Sequence, residues 1–209
     1  MKNALTVLAA TGSYGAVLGW WRSPLMAAYV AVKLPVVFFC AMLAVSVFCW
    51  VASLALNADM RYRDVWAAAS DAMATAGLVL FAAAPIVLFF VASAAPDSGT
   101  RDEMRFAHSC IMLVHIAVLA CAGVFGVWRL HGRLRKHASP RCGVRGLIAI
   151  WLVAFGVAGC QLGWIMRPIV GSPNICVEFV REDALERNFL ESLFGQIIPH
   201  FINKGEIRK

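Results

Sequence analysis

The chain has 209 residues, of which 61% are hydrophobic and only 15% are charged, and its mean hydropathy is +0.73. This composition excludes an ordinary soluble domain and a disordered chain, and it is typical of a protein with several membrane-spanning helices. The formal net charge of +7 would point to nucleic acid in a soluble protein. Beside apolar helices it indicates contact with a lipid bilayer that has anionic headgroups, so no nucleic-acid partner is expected.

The N-terminal segment, residues 1–33, is moderately apolar and is interrupted by several glycines. Ser23 followed by Pro24 predicts a helix N-cap with proline at the first helical position, so we expect a helix over 24–33. Indole and basic side chains flank this short helix, and such side chains are typical of the headgroup level. We therefore interpret the segment as interfacial, lying on the bilayer, with a fifth span over 5–21 as the alternative.

Four long apolar stretches follow, and each can cross a hydrocarbon core about 30 Å thick, which takes about 20 helical residues. They cover residues 34–56, 67–95, 106–128 and 147–166. Helices are the expected spanning structure, because in lipid every backbone polar group must be bonded within its own segment. Pro35 is expected to open the first of these helices, and Pro85 to kink the second near its middle.

The loop between the third and fourth stretches, residues 129–145, carries six Arg or Lys residues and no acidic residue. Short loops this basic stay in the cytoplasm, so we expect a bacterial inner-membrane protein with this loop inside. With four crossings, both chain ends then lie outside. Several basic residues are nevertheless expected on that opposite side, namely Lys2, Arg22, Lys33 and Arg167.

The last segment, residues 167–209, begins with a turn-rich strip and then alternates charged and apolar residues. Over 182–198 the apolar residues recur every three or four positions, which predicts a helix with one apolar face. That face includes Leu185, Phe189, Leu193 and Phe194. We expect it to be covered by protein or by the membrane interface.

These elements together predict an all-α fold, a polytopic transmembrane helical bundle of four spans with an N-terminal interfacial helix and a C-terminal amphipathic helix. The sequence has no internal repeats and no low-complexity linkers. The whole chain, 1–209, is therefore expected to form one membrane domain. In it, 1–33 is interfacial, 34–166 spans the bilayer and 167–209 is an amphipathic tail.

Two histidines, His108 and His115, lie in the third apolar stretch, and their spacing places them on one helix face about 10 Å apart. Polar rings inside a membrane are costly unless paired, so they are candidates for function. Haem ligation would need a second ligand from another chain, or from Met42 or Met73. A proton or ion path is a further alternative. We expect a neutral His115 ring hydrogen-bonded to a neighbouring helix, with no haem or other cofactor.

Asp71 lies about one turn inside the second apolar stretch. It is a candidate for binding a cation, for carrying a proton, or for an ion pair with Arg61 or Arg63. The alternative interpretation is a structural carboxylate near a helix N-terminus, where the helix dipole favours negative charge.

Small residues recur at four-residue spacing in the last two apolar stretches: Gly159 and Gly163 follow Gly156, and Ala122 precedes Gly126. This pattern lets helix backbones approach closely. We expect Gly159 and Gly163 to pack against another helix, and packing within the chain is favoured over contact with a partner.

The sequence contains no GxSxG, HExxH or Walker motif. We therefore predict no catalytic residues and no metal site, and an enzyme is less expected than a non-enzymatic protein. Residues 14–25, YGAVLGWWRSPL, and 159–173, GCQLGWIMRPIVGSP, resemble uncharacterised bacterial multi-span membrane proteins that are similar to the Yip family of small Rab-associated membrane proteins. The resemblance covers residues 14–175. It implies a scaffold or partner-binding membrane protein and assigns no functional residue.

The predicted function is that of a non-enzymatic subunit or scaffold of a larger membrane assembly. It would bind other membrane-protein subunits, or further copies of itself in a homo-oligomer, through its helix faces and its C-terminal tail. The alternatives are an oligomeric channel or transporter, and a haem- or quinone-binding subunit of an electron-transfer complex.

Overall fold

The computed structural model of the protein describes residues 2–58, 60–94, 100–137, 143–171, 177–181, 184–186 and 188–192. Within these ranges all regular secondary structure is helical, so the predicted all-α fold is confirmed. Five long helices are followed by one short one: α1 (Lys2–Trp20), α2 (Pro24–Ala55), α3 (Tyr62–Ser93), α4 (Arg101–His137), α5 (Val144–Ile165) and α6 (Phe189–Ser192).

Four of these helices, α2 to α5, are long and apolar enough to cross a membrane. The predicted polytopic transmembrane helical bundle is therefore confirmed. Helix α4 is longer than expected at both ends, because the basic residues after 128 continue the helix as far as His137. Much of the third loop, predicted over 129–145, is thus helical, and residues 138–142 lie outside the described residues.

Helix α2 begins as the sequence predicts but continues much further. The Ser23 hydroxyl accepts a hydrogen bond from the Met26 amide at 3.1 Å, and Pro24 lies in the first turn. The separate helix expected over 24–33 is wrong, since α2 runs without interruption through Pro35. Proline is tolerated inside an apolar span because neighbouring helices accommodate the backbone group that it leaves unbonded.

Helix α1 packs lengthwise against α2 and α3, which differs from the interfacial segment expected there. Its Tyr14 side chain is fully buried. The contact with α2 depends on glycines: a Cβ on Gly15 would lie 2.5 Å from the Val30 carbonyl oxygen, and one on Gly19 would lie 2.6 Å from the Met26 carbonyl oxygen. The glycines that interrupt the sequence pattern therefore form the surface on which the two backbones meet.

Two apolar clusters hold the bundle together, one toward each end. The first is built from α1, α2, α3 and α4 and includes Leu18 and Val87. The second is built from α2, α3, α4 and α5 and includes Val65 and Trp151. Helices α1 and α5 therefore support opposite halves of α2.

The chain after α5 covers the part of α2 that α5 does not reach. Helix α5 has 22 residues whereas α2 has 32, a difference of about 15 Å in length. Val170 is buried in the first cluster, and the Phe179 ring meets the Tyr29 ring edge to face at 5.3 Å. We call residues 166–171 and 177–181 the exit strip, because they close the bundle over the first turns of α2.

The C-terminal amphipathic helix begins later than the sequence predicts. Residues 184–186 form a turn, and α6 starts at Phe189. This start is set by Asn188, whose side chain accepts the Glu191 amide at 2.8 Å while the Glu191 carboxylate accepts the Asn188 amide at 3.1 Å. Residues 193–198 of the predicted helix lie outside the described residues.

Gly15→Ala should destabilise the protein, and the matched change Gly159→Ala should not. A methyl group on Gly15 would meet the Val30 carbonyl oxygen at 2.5 Å, whereas one on Gly159 would have no described atom within 4 Å. Overpacking typically costs about 1–3 kcal/mol. Thermal unfolding of the two purified variants in one detergent measures the difference, and equal melting temperatures would show that α1 and α2 do not meet at Gly15.

Candidate functional site

Three contacts among the described residues involve charged or ionisable groups inside the bundle, and the first surrounds Asp71 on α3. Its carboxylate accepts a hydrogen bond from the Asn3 side chain of α1 at 2.5 Å. It also pairs with two guanidinium groups of α4, that of Arg129 at 3.7 Å and that of Arg133. Only 12% of the Asp71 side chain is exposed. A carboxylate this deep in an apolar helix needs such partners, because burial of an unpaired charge is costly.

The partners of Asp71 differ from the prediction, which named Arg61 or Arg63. Both of these arginines are exposed at the start of α3, about 12 Å or more from Asp71 along the helix axis. Helix α4 packs antiparallel on α3, with Gly126 close to the Ala72 carbonyl, and this brings its last turns beside the carboxylate. The contacts favour a structural carboxylate, and cation binding or proton transfer at Asp71 stays a prediction.

The Asn3–Asp71 contact also shows which end of the bundle the start of α1 occupies. Lys2 lies at the end formed by the last turns of α4, and not at the opposite end with Arg22 and Arg167 as expected. The reason is that α1 runs alongside α3 instead of lying flat on the bilayer. We call the end with Lys2 and the last turns of α4 the basic end. The described residues of the opposite end include the acidic residues Asp102, Glu103 and Glu178.

The second polar contact joins His115 of α4 to Tyr14 of α1. The tyrosine hydroxyl and the His115 Nδ1 atom are 2.9 Å apart, and both side chains are buried. The two rings also stack, with their centroids 5.8 Å apart. The interhelical hydrogen bond expected for His115 is therefore present, and it joins α4 to α1, which covers nearly the same residues as the alternative span over 5–21.

His108, two turns earlier on α4, lies against the Trp21 indole, with the ring centroids 5.3 Å apart. The structure does not bring either candidate methionine to the histidines. Met42 faces α3, where its sulfur accepts a serine hydroxyl, and Met73 lines a cleft beside Gly126. Gly126 is about 16 Å from His115 along the axis of α4. Haem binding and a proton path stay predictions.

The third polar contact is made by Lys33, which the sequence analysis placed at the headgroup level. Its side chain is fully buried within α2. The ammonium group donates a hydrogen bond to the Pro168 carbonyl at 2.8 Å and lies 5.4 Å from the centre of the Phe179 ring. Both partners belong to the exit strip, which explains how a lysine is accommodated in an apolar helix.

The glycines of α5 do not make the contact within the chain that the sequence favours. A Cβ on Gly159 would have no described atom within 4 Å, and one on Gly163 would meet the Ile169 side chain at 3.8 Å. By contrast, a Cβ on Gly126 of α4 would lie 3.3 Å from the Ala72 carbonyl oxygen. Gly126 therefore packs against a neighbouring helix, whereas Gly159 meets none of the described residues.

The apolar residues of the C-terminal segment are covered unequally. The Phe189 ring packs against an indole of α5 with a centroid separation of 6.2 Å, and the Phe189 amide donates to the Gln161 side chain at 3.0 Å. Leu185 is 83% exposed. Leu193 and Phe194 lie outside the described residues, so coverage of the whole apolar face stays a prediction.

Sequence reasoning missed the α1 residues that complete the first two contacts, Asn3 and Tyr14. A signal for α1 was nevertheless present, because its buried side chains recur every three to four positions, as at Val7, Thr11, Tyr14 and Leu18. This is the spacing of one face of a helix. The glycines beside that stripe lower the hydropathy of the segment and conceal the pattern.

Comparisons of the chain with known protein families, with curated proteins and with solved structures find no match. Arguments about function therefore depend on the contacts within the chain itself. The resemblance to the Yip family, which rests on residues 14–25 and 159–173, stays a prediction.

Tyr14→Phe should destabilise the protein modestly, by about 0.5–1.5 kcal/mol, because it removes one hydrogen bond between membrane helices and keeps the ring. Tyr29→Phe is the matched control, since the Tyr29 ring packs edge to face on Phe179 and that contact is kept. Thermal unfolding of both variants in the same detergent measures the difference. If the two are equally stable, the bond to His115 does not help to hold α1 against α4.

Proposed function

We propose that the protein is a non-enzymatic integral membrane subunit or scaffold of a larger assembly, and that another transmembrane helix docks on α5. The observation that carries the proposal is the exposed glycine face of α5. At Gly15 and Gly126 a neighbouring helix backbone approaches the glycine, as the small-residue pattern leads one to expect. At Gly156 and Gly159 no described atom lies within 4 Å of an added Cβ.

The exposed side of α5 has a shape that a second helix fits. Gly156, Cys160 and Gly163 are spaced by four and three residues, so they lie on one side of the helix. Val153 lies on the same side and is 66% exposed. We call these four residues, together with Gly159, the docking face. Small residues beside larger ones let a second backbone approach closely, and van der Waals contact is a main driving force between helices in lipid.

Helix α5 is also much less covered than the helices at the centre of the bundle. In its most apolar part 6% of the residues are buried, against 39% for α2 and for α3. Glycine weakens a helix by about 1 kcal/mol relative to alanine, and it offers little surface to lipid. Gly156 and Gly159, which no described residue covers, therefore favour a protein partner over lipid alone.

The C-terminal segment adds to this surface. The contacts of Phe189 with α5 place the start of α6 beside the last turns of that helix. Leu185, just before α6, is 83% exposed. An exposed apolar side chain in this segment would extend a contact with a partner, and Leu193 and Phe194 are the further candidates from the sequence pattern.

We infer further that the basic end of the bundle faces the cytoplasm of a bacterial inner membrane. Basic residues beside apolar helices are retained on the cytoplasmic side. The described residues of this end include Lys2, Arg129, Arg133, Arg135 and Lys136. At the opposite end arginines are interspersed with acidic residues, so the charge bias there is weaker.

The channel, transporter and electron-transfer alternatives would depend on Asp71, His108 and His115. Asp71 and His115 each bond to a side chain of another helix, and the His108 ring packs on Trp21, which lies in the turn between α1 and α2. Such contacts account for the polar groups as bonds that hold the bundle together. The subunit or scaffold role is therefore the function that the geometry supports best.

A photocrosslinker attached to Cys160 should label a partner helix in native membranes. Cys160 is exposed and lies within the docking face. The matched control carries the same reagent on Cys121, which is exposed on α4 and therefore outside the docking face. In variants that keep a single cysteine, we expect a cross-linked product from Cys160 and little from Cys121, measured as a mass shift of the full-length chain on denaturing gels.

Gly156→Leu and Gly159→Leu should abolish that product and lower the mass of the native complex. The melting temperature of the isolated chain is the control, and it should stay unchanged at Gly156, which is exposed and where no described atom lies within 4 Å of an added Cβ. A product of twice the chain mass indicates a second copy, and another mass indicates a different subunit. A chain that stays uncross-linked and monomeric in native membranes would contradict the proposal.

The orientation is tested by reporters fused after His137. A reporter that matures only in the cytoplasm should be active there, because the last turns of α4 lie at the basic end. Alkaline phosphatase, which is active only outside the cytoplasm, should be inactive at the same position and active when inserted between α3 and α4. The reverse pattern would invert the topology.

A further inference from the structure

The last two turns of α4 present a broad arc of cationic and aromatic side chains at the basic end. At 100° per residue, Trp128, Arg129, Arg135 and Lys136 span an arc from about 100° to about 220° around α4 from Leu134. These side chains border a shallow recess of about 410 Å³. Such an arc can hold a negatively charged group against one helix.

The packing of α4 against α5 indicates where this arc lies relative to the hydrocarbon core of the membrane. On the other side of α4, Leu130 and Leu134 are buried in one cluster with Leu147 and Trp151 of α5. These α5 residues begin the apolar stretch that is expected to enter the hydrocarbon. The arginines of α4 therefore lie at the edge of the hydrocarbon, where cations need anionic partners.

The single carboxylate of Asp71 does not neutralise the cations in the last two turns of α4. It pairs with Arg129 and Arg133, whose side chains remain 51% and 40% exposed. Arg135 and Lys136 are exposed and make no ion pair with the described residues. The excess of cations calls for an anion from outside the chain. Phosphate fits best, because its oxygens match the donors of a guanidinium group.

Next to the arc, α4 offers an apolar surface on the same side. Val124 is 68% exposed and Phe125 is 50% exposed, and both lie about one turn before Trp128, which is 71% exposed. An indole between cations and apolar side chains is typical of the headgroup level. A phosphate held by the cations would thus have hydrocarbon directly beside it, which is the chemistry of a phospholipid.

We propose that the last two turns of α4 bind the phosphate group of one anionic phospholipid. Arg135 and Lys136 bind the phosphate, Trp128 lies between the headgroup and the hydrocarbon, and an acyl chain follows Phe125 and Val124. The site uses a different helix from the docking face, so the two proposals can fail separately.

The test measures the binding of single lipids to the full chain in detergent by native mass spectrometry. Phosphatidylglycerol is the anionic probe, phosphatidylcholine is the zwitterionic comparison, and inorganic phosphate is the comparison without acyl chains. One phosphatidylglycerol should bind more tightly than phosphatidylcholine. Arg135→Gln and Lys136→Gln should each weaken that binding about fivefold, as expected when one cationic contact with an anionic lipid is lost.

The matched control is Arg105→Gln, which removes an exposed charge from the other end of α4 and should leave the affinity for phosphatidylglycerol unchanged. The variants of Arg135 and Lys136 keep both ion pairs of Asp71, so their melting temperature should also be unchanged. Equal affinity for the two lipids, no effect of either variant, or an equal loss with Arg105→Gln would overturn the proposal. Displacement of the lipid by millimolar inorganic phosphate would assign the recess to a free anion instead.

Discussion

The close approach of α1 to α2 is the contact on which the other features of the bundle depend. At Gly15 and Gly19 the two backbones come so near that a methyl group would meet a carbonyl oxygen of α2. This approach places α1 beside α3, and from there Asn3 and Tyr14 reach their partners on α3 and α4. It also brings Lys2 to the basic end. The hydrogen bonds of Asn3 and Tyr14 to the neighbouring helices, and the position of Lys2, therefore follow from one backbone contact.

Length and hydropathy were sufficient to predict the fold class, because about 20 consecutive apolar residues can cross a bilayer only as a helix. The same local reasoning failed for residues 1–33. The glycines there lower helix propensity and hydropathy, whereas the stability of α1 comes from its contacts with two other helices. The sequence of one segment does not show such contacts, so a helix over 5–21 was only an alternative, and its packing against α2 and α3 could not be predicted.

The polar contacts of Asp71 and His115 were also predictable only in part. That Asp71 and His115 need partners follows from the cost of a polar group in an apolar helix, and the sequence predicted it. Which residues meet them depends on the order and stagger of the helices, so Arg133 and Tyr14 were missed. Small residues are ambiguous for the same reason, since a glycine pattern shows where a helix can be approached but not which helix approaches it.

The burial of Lys33 beneath the exit strip has a consequence for the biogenesis of the protein. Lys33 and the carbonyl that accepts its hydrogen bond are 135 residues apart in the chain. At a synthesis rate of about 5–20 residues per second, the lysine is made roughly 7–27 s before its partner. During that interval its ammonium group must extend to the bilayer surface or stay within the insertion machinery. The first transmembrane helix therefore reaches its final environment only after the last one has been synthesised.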